Sequence, residues 1–211
     1  MKLVFFGAPG AGKGTIAKKL YEMYKIPQVS TGDLFRESIK NKTELGNAIA
    51  KVIAEGKLVS DEIAIQVIKE RIAKPDCSNG YILDGFPRTL IQAEKLEKLT
   101  PINIAVFFDI TDEEVKTRLC GRRICPKCGR IYHISAAKPK IEGICDDHEE
   151  KLIIRPDDRE DAIIERLNVY HRQTEPLLSY YKSINKLEII DASKDPDTVV
   201  SQIVKKIKIK D

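Results

Sequence analysis

The sequence predicts an α/β fold built on a doubly wound, five-stranded parallel sheet. Five short apolar runs have the composition of strands that are buried on both faces, and segments with helical spacing alternate with them. Strands and helices that alternate along a chain form parallel sheets covered by helices on both faces. The five predicted strands are residues 2–6, 26–30, 81–83, 104–110 and 187–190.

The helical segments carry start and stop signals. Ser60 can cap one helix, Thr111 opens a capping box for another, and Asp195 precedes the last. Pro176 must end the helix before it. The apolar positions with helical spacing are Ile16, Leu20, Met23, Tyr24, Leu45, Ile49, Val52, Ile53, Ile63, Val67, Ile72, Val115, Leu119, Ile163, Leu167, Tyr170, Val199, Ile203 and Ile207.

Two stretches interrupt the alternation. Residues 31–59 are helical without a strand of their own, and residues 121–158 hold turns, short β-like pieces and three clustered cysteines. Because ligands of doubly wound sheets lie at the carboxyl ends of the strands, we expect both stretches to be inserts that cover that edge. We assign the core to residues 1–29, 60–120 and 159–211, and the inserts to residues 30–59 and 121–158.

The composition is that of a soluble globular protein. The 211 residues are 42% hydrophobic and 32% charged, with a formal net charge of +4. A charge of this size suits an anionic small molecule and does not demand a nucleic acid. Because no signal peptide and no apolar run of about 18 residues is visible, we expect a cytoplasmic protein without a membrane partner. Two of the five cysteines, Cys77 and Cys120, lie apart and are expected to be ordinary buried thiols.

A glycine-rich loop follows the first strand. Its glycines let the backbone wrap phosphate oxygens with N–H groups pointing inward, and the following helix directs its positive end at the anion. A lysine adds a cation for the outer phosphates, and a threonine offers a hydroxyl to Mg²⁺. The loop therefore predicts a P-loop NTPase-type site for ATP or a similar nucleotide, made by Gly10, Ala11, Gly12, Lys13, Gly14 and Thr15. The strict pattern places Ser or Thr directly after the lysine, whereas Gly14 intervenes here.

Four potential metal ligands lie in two short-spaced pairs. Cys125 and Cys128 form a C-x2-C pair, and sixteen residues separate it from the C-x2-H pair of Cys145 and His148. Two such pairs can meet in one tetrahedron, and three thiolates with an imidazole favour a closed structural zinc site over an iron site or a disulfide. The alternatives for the fourth ligand are Asp146, Asp147 and His133.

An acidic and a basic residue follow the predicted strand 81–83. Because strand ends face the cleft, Asp84 and Arg88 should both project into it. Asp84 can hold Mg²⁺ through water, and Arg88 offers a forked, permanently charged clamp for a phosphate. The arginines that we expect only to cover solvent-facing surface are Arg71, Arg130, Arg159 and Arg172.

In this combination and order the motifs resemble those of the adenylate kinases, in particular the long-lid, zinc-bearing type. The resemblance covers nearly the whole chain. It implies the reaction ATP + AMP ⇌ 2 ADP with Mg²⁺, an AMP-binding arm at residues 30–59 and a zinc-bearing lid at residues 121–158. The segments that carry it are residues 7–15, 30–36, 56–61, 84–88, 121–123 and 155–158.

Individual roles are also implied by the resemblance. It implies that Lys13, Arg88, Arg122, Arg155 and Arg166 act on the transferred phosphoryl group. It implies further ATP contacts from Arg118, Arg122, Ile131, Tyr132 and Lys194. It implies AMP contacts from Thr31, Arg36, Lys57, Leu58, Val59, Gly85, Phe86, Pro87, Arg88, Gln92, Arg155 and Arg166. Gln92 would read the adenine edge through its amide, the alternative being an exposed helix residue. Two departures are His148, where Cys or Asp is commoner, and Pro156 after Arg155.

Other interpretations stay open at this point. A kinase for UMP or CMP usually has a short lid without a metal knuckle, and a GTP donor is a finer variant of the same reaction. A zinc-knuckle nucleic-acid binder would need a basic stripe with aromatics, whereas this lid has few aromatics besides Tyr132 and balances its cations with acids. We therefore expect a monomer whose partners are ATP, AMP and ADP, with no nucleic acid among them.

Overall fold

A computed structural model describes the backbone of residues 1–210 and the side chains of residues 1–207; residue 211, at the end of the predicted core, lies outside the described part. Its main sheet has five parallel strands in the order β2-β3-β1-β4-β7, which confirms the predicted fold class. At the centre, Val4 of β1 lies beside Leu83 of β3 and Ala105 of β4. The strands are β1 (Lys2–Gly7), β2 (Gln28–Ser30), β3 (Tyr81–Asp84), β4 (Ile104–Asp109), β5 (Arg122–Ile124), β6 (Ile131–His133) and β7 (Leu187–Asp191).

Helices cover both faces of this sheet. The α-helices are α1 (Lys13–Tyr24), α2 (Thr31–Lys40), α3 (Glu44–Ala54), α4 (Asp61–Ile72), α5 (Leu90–Leu99), α6 (Asp112–Cys120), α7 (Glu160–Val169), α8 (Leu177–Ser183) and α9 (Pro196–Lys210). Short 3₁₀ turns occupy Pro75–Cys77 and Pro156–Asp158, and a π-helical turn occupies Tyr170–Thr174. The predicted stop before Pro176 is present, but the α-helical geometry already ends at Val169.

The predicted caps form. Ser60 accepts a hydrogen bond from the backbone N–H of Ile63, and Asp195 accepts one from that of Thr198. Thr111 and Glu114 bond to each other's backbone N–H groups and complete a capping box. These side chains satisfy donors that a helix N-terminus otherwise leaves without partners.

Two layers of core lie on opposite faces of the sheet. Along β1, Leu3 and Phe5 pack into one layer, whereas Val4 and Phe6 pack into the other, as the alternation of side chains along a strand requires. All four side chains are at most 1% exposed. The central strand is therefore held from both faces, and its carboxyl end is a rigid platform.

Some side chains differ from the expected burial. Met23 is 56% exposed, so Ile16 and Leu20 carry the buried face of α1 without it. Cys77 is buried as expected, but Cys120 at the end of α6 is exposed, and the prediction of a buried thiol there is wrong. Sequence spacing places Cys120 on a helix without showing that this helix ends at the surface.

Neither irregular stretch, residues 31–59 or residues 121–158, contributes a strand to the main sheet. Within residues 31–59, α2 packs against α3. Within residues 121–158, β5 and β6 form a separate antiparallel pair, and Ile124 also bridges to Ile153. The two stretches approach each other where Lys40 Nζ lies 3.4 Å from the carbonyl oxygen of Pro126.

Membrane insertion has no support from the helices of residues 1–210, since none combines the length and apolar character that a bilayer crossing demands.

Two buried tyrosines predict opposite effects of losing a hydroxyl. Tyr181 is 1% exposed and its hydroxyl has no hydrogen-bond partner among the described residues, whereas the Tyr81 hydroxyl, equally buried, bonds to Thr100. Because a buried polar group without a partner costs free energy, Tyr181→Phe should raise the free energy of unfolding by about 1 kcal/mol. Tyr81→Phe, the matched control, should lower it by about 1 kcal/mol. Urea denaturation measures both, and a loss of equal size in the two variants would contradict the assignment.

His171 predicts a pH-dependent contribution to stability. Its Nδ1 lies 2.9 Å from Glu175 and its Nε2 3.0 Å from Asp112, and these hydrogen bonds, that to Glu175 first, raise the pKa of His171. Because the pKa of His171 is raised in the folded state, the charged imidazole stabilises the fold fully at pH values below its unfolded-state pKa of about 6.5. This stabilisation is lost as the pH rises through the folded-state pKa. Denaturation midpoints of wild type and His171→Gln should therefore differ more at pH 6 than at pH 9; a constant difference would refute the coupling.

Candidate active site

The glycine-rich loop connects β1 to α1 at the carboxyl end of the central strand. Gly12, with φ of 91°, is the residue that precedes α1, in a left-handed conformation that favours glycine. Lys13 then begins the helix two residues earlier than predicted, and its Nζ donates to the carbonyl oxygens of Gly7 and Ala8 at 3.0 and 2.7 Å. Thr15, the third residue of α1, is exposed, so its hydroxyl is accessible to a ligand.

The Lys13 ammonium lies in a buried, crowded electrostatic environment. Burial lowers the pKa of Lys13 to about 8; Asp84 opposes the shift, whereas Arg88, Arg166 and Arg122 add to it. Several like charges thus converge on one point beside the loop. Such a convergence is costly without counter-charge and becomes favourable when a multivalent anion binds there.

Asp84 is the acidic member of this group. Burial raises its pKa, while Lys13 and a hydrogen bond from Gln28 oppose the shift. Gln28 Nε2 donates to Asp84 Oδ2 at 2.8 Å. A Cβ at Gly14 would lie 3.4 Å from Gln28 Nε2 and 3.5 Å from Asp84 Oδ2, so the paired side chains line the space beside that residue. Both distances are ordinary van der Waals contacts, so the space beside Gly14 does not by itself exclude a serine or threonine there.

Two arginines are held by two buried aspartates at the end of the 121–158 stretch. Arg122 binds Asp158 through two hydrogen bonds of 2.7 and 2.5 Å, and Arg166 Nη1 lies 2.9 Å from Asp158 and 3.0 Å from Asp157. Arg155 is 9% exposed, and its Nε has no hydrogen-bond partner among the described residues. Burial, followed by the charges of Arg36 and Arg122, lowers the pKa of Arg155 to about 10. The unsatisfied guanidinium atom is a ready donor for an anionic ligand.

Arg88 is fixed through both its backbone and its side chain. Its N–H donates to Gln92 Oε1 at 2.7 Å, and its Nε donates to the Gly85 carbonyl at 2.8 Å. Thr31 Oγ1 donates to the same Gly85 oxygen at 2.7 Å. Phe86, between them in sequence, is 1% exposed. Burial, then Arg166, lowers the pKa of Arg88 to about 10, so its position opposes its electrostatic preference and has to be imposed by these contacts.

Gln92 is 2% exposed, so the alternative of an exposed helix residue is wrong. Its Oε1 accepts from Arg88, and its Nε2 donates to Asp61 Oδ1 at 2.7 Å. A contact with a base edge would exchange one of these bonds. Asp61 also accepts from Thr89 Oγ1 at 2.9 Å, which makes it a shared anchor.

The remaining predicted AMP-side residues differ in exposure. Arg36 pairs with Asp33 at 2.5 Å, and Lys57, an exposed residue, pairs with Glu55. Val59 is buried, Leu58 is half-buried, and Pro87 is buried beside Phe86. A Cβ at Gly56 would lie 2.9 Å from Arg166 Cγ, so the turn that precedes these residues packs against α7.

On the other side of the loop, Arg118 lies near Gly12, where a Cβ would be 3.8 Å from its Nη1. Arg118 Nη2 donates to the Ala192 carbonyl at 2.9 Å, and Lys194 Nζ lies 3.5 Å from Asp191. Ile131 is 42% exposed. The Tyr132 ring is buried instead in the cysteine knuckle, so a nucleotide contact at that residue would come from its backbone.

The predicted metal ligands converge. One donor atom from each of Cys125, Cys128, Cys145 and His148 lies within 4.8 Å of the others, and His148 Nδ1 lies 3.9 Å from Cys145 Sγ. Burial acts to raise the pKa of Cys145, but hydrogen bonds from the Tyr132 hydroxyl and the Asp147 backbone outweigh it and lower the pKa to about 6. A cluster of this composition can hold a metal ion.

The alternative fourth ligands are engaged elsewhere. Asp147 accepts two hydrogen bonds of 2.7 Å from Arg130, and Asp146 accepts from the Lys140 backbone. His133 Nδ1 accepts from the backbone of Ala136. Arg130, Arg159 and Arg172 are exposed as expected, although Arg130 also binds Asp147 within the knuckle. Arg71 is only 18% exposed, because it packs in its pair with Asp76, and the expectation of a solvent-facing residue is wrong there.

Several residues near the site escaped the sequence analysis. Asp157 and Asp158 were in a recognised motif but had no role, and their adjacency to a run of arginines was the available signal. Gln28, Asp61 and Thr174 carry no local signal, because their partners are distant in sequence.

A parallel sheet with a glycine loop at the end of its central strand defines the P-loop nucleotide-binding proteins, and the cations gathered there suit a transferable phosphate. The chain belongs to the adenylate kinase family, since the family model described as Adenylate kinase matches residues 5–186. It is 46% identical over 209 residues to the adenylate kinase of Acetivibrio thermocellus, covering 97% of this chain and 96% of the relative. It is 49% identical over 201 residues to that of Treponema denticola, covering 95% and 96%. It is 42% identical over 209 residues to that of Thermosipho africanus, covering 97% and 98%.

Proposed function

We propose that this protein catalyses ATP + AMP ⇌ 2 ADP with Mg²⁺ by direct transfer of a phosphoryl group. The observation that carries the proposal is the convergence of Arg88, Arg122 and Arg166 on the half-buried Lys13 at the end of the glycine loop. Family membership identifies ATP and AMP as the nucleotides, and the arrangement of positive charges accounts for the transfer of a phosphoryl group. A chain with this arrangement needs no nucleophile of its own, because an oxygen of the AMP phosphate is the attacking atom.

The ATP subsite is assigned to the loop and the elements next to it. The backbone N–H groups of residues 10–15 enclose the phosphates, and Lys13 exchanges its carbonyl contacts for the outer phosphates. Arg118 and Arg122 flank the loop. Ile131, the Tyr132 backbone and Lys194 complete the contacts with the nucleoside.

The AMP subsite is assigned to the other side of the cleft. Thr31 and Arg36 come from α2, the turn of Lys57, Leu58 and Val59 passes beneath it, and the segment from Gly85 through Phe86, Pro87 and Arg88 to Gln92 lines its floor. Arg88, Arg155 and Arg166 lie between the two subsites and clamp the phosphoryl group in transit. Fixed guanidinium groups stabilise charge that develops there without reorganising at the moment of transfer.

The residues that would hold Mg²⁺ fit the ion. Asp84 Oδ2 is used by Gln28, the other carboxylate oxygen carries no hydrogen bond among the described residues, and Thr15 offers a hydroxyl. Hard oxygen donors of this kind suit Mg²⁺, which keeps several of its waters. When bound with ATP, the ion neutralises phosphate charge.

Residues 30–59 and 121–158 are proposed as the two covers of the cleft, on a core of the remaining residues. Their contact through Lys40 and Pro126 supports an arrangement in which both close over the substrates. Closure excludes water, which would otherwise compete with AMP as acceptor. Since every proposed contact comes from one chain, a monomer suffices for activity.

Zinc is proposed as the metal of the cysteine knuckle, held by Cys125, Cys128, Cys145 and His148. A tetrahedron with Zn–S bonds near 2.3 Å has edges of about 3.8 Å. The Cys128–Cys145 sulfur pair, at 3.9 Å, matches this sulfur–sulfur spacing, and His148 Nδ1 lies 3.9 Å from Cys145 Sγ. Four protein ligands leave no open position, so the metal folds this segment, and catalysis does not pass through it.

Arg88→Ala and Lys13→Ala should each lower kcat for ADP formation by at least about a hundredfold, because each removes a fixed charge that opposes the phosphates. A coupled assay with ATP against AMP, UMP, CMP and GMP measures this loss and the acceptor preference together.

Arg71→Ala is the matched control and should leave kcat unchanged, since Arg71, on α4, pairs with Asp76 of the 3₁₀ turn Pro75–Cys77. Near-normal turnover of a folded Arg88→Ala variant would remove the assignment of this residue. A folded wild type that forms no ADP from ATP and AMP would remove the proposed function.

Chelation should melt the knuckle before the core, because the segment has only three buried apolar residues of its own, two of them ligands. Metal analysis should find about one zinc per chain, and Cys145→Ser should lose it, whereas Cys120→Ser should keep it. Calorimetry of stripped and loaded protein gives the transitions; an identical melting profile in the two forms would contradict a structural metal.

A further inference from the structure

The π-helical turn between α7 and α8 places one buried threonine beside the phosphate-clamping segment. Thr174, the last residue of the turn, is 6% exposed, and its Oγ1 donates to the carbonyl oxygen of Arg88 at 3.0 Å. The two residues are 86 positions apart in sequence. None of the roles assigned above includes Thr174.

Local chemistry explains why the helix widens at this point. The Glu175 N–H donates to the Tyr170 carbonyl at 2.9 Å, one residue farther back than in an α-helix. Pro176 has no N–H, and its ring would collide with the carbonyl four residues earlier if the α-helix continued. His171 holds Glu175 and Asp112 on the solvent side of the turn. Wide turns of this kind often occur at functional sites, where they redirect one side chain.

The contact matters because Arg88 occupies an electrostatically unfavourable position. Three hydrogen bonds hold it: from its N–H to Gln92, from its Nε to Gly85, and from Thr174 to its carbonyl oxygen. The first two stay within the segment that follows β3 and move with it. Among these three, the bond from Thr174 alone ties the segment to the helix pair that carries Arg166.

We propose that Thr174 is a positioning residue for the transfer reaction, which keeps the Arg88 guanidinium in register with that of Arg166. The inference rests on the proposed function. The hydroxyl touches no reacting atom. It sets the distance between two clamps that come from different parts of the chain, so that both meet the same phosphoryl group.

The test compares Thr174→Val, which keeps the shape and loses the hydroxyl, with Thr174→Ser, which keeps the hydroxyl. The valine variant should lose roughly tenfold in kcat with KM for ATP nearly unchanged, and the serine variant should stay within about twofold of wild type. Thr100→Val is the matched control, because Thr100 is a buried threonine bonded to Lys2 and Tyr81, remote from the loop. It should lose stability and keep kcat.

A double-mutant cycle separates positioning from general destabilisation. On an Arg88→Ala background, Thr174→Val should cause no further loss of kcat while it still lowers the melting temperature. A purely structural role would lower kcat to the same extent on both backgrounds.

The proposal is overturned if folded Thr174→Val turns over within about twofold of wild type, or if its kcat loss is unchanged when Arg88 is absent. Should the valine variant not fold, Thr174→Ala is held to the same two criteria. An active wild type with an inactive Arg88→Ala and a normal Thr174→Val removes this inference alone. A wild type that forms no ADP removes the proposed function beneath it.

Discussion

The gathering of several cations in one partly desolvated space is the constraint on which the rest of the site depends. Lys13, Arg88, Arg155 and Arg166 all have pKa values below their ordinary range, with burial the first cause in each case. Groups of like charge do not gather in a desolvated space unless the fold forces them together. The surrounding structure is the framework that holds these cations together, and a bound polyphosphate relieves their repulsion.

The framework acts mainly through buried acids and backbone contacts. Asp158, whose side chain is fully buried, holds Arg122 and Arg166 together, and Asp84 lies against Lys13. Among the residues with described side chains, no carboxylate pairs with Arg88 in this way, and Arg88 is held through its own N–H, carbonyl and Nε. An arginine held by its backbone keeps its forked end free for a ligand, which suits a clamp better than an ion pair does. The same division appears at Arg155, whose Nε has no partner among the described residues.

The cysteine knuckle is also held by only a few groups. Its apolar core is small, with Tyr132 and two cysteines buried and Leu152 packed against them. Segments of this size rarely order themselves by burial alone, and the proposed metal–ligand bonds would replace the missing core. Tyr132 bonds to Cys145 and to the Asp146 backbone, which orients a donor sulfur from behind. The expected fourth ligand, His148, is the candidate whose ring faces the sulfurs, whereas Asp147 is engaged by Arg130.

The sequence by itself determined the order of the strands along the chain, the loop, the helix caps and the two pairs of metal ligands. Each of these depends on neighbours within a few residues, as with Ser60 and Ile63 or Thr111 and Glu114. Tertiary structure alone decided that Gln92 is buried, that Cys120 is exposed, and that Gln28 and Thr174 meet Asp84 and Arg88. Those contacts join residues 56 and 86 positions apart, and no periodicity or spacing encodes them. They arise because parallel strands bring their carboxyl ends to one edge, where side chains from distant segments share a single small volume.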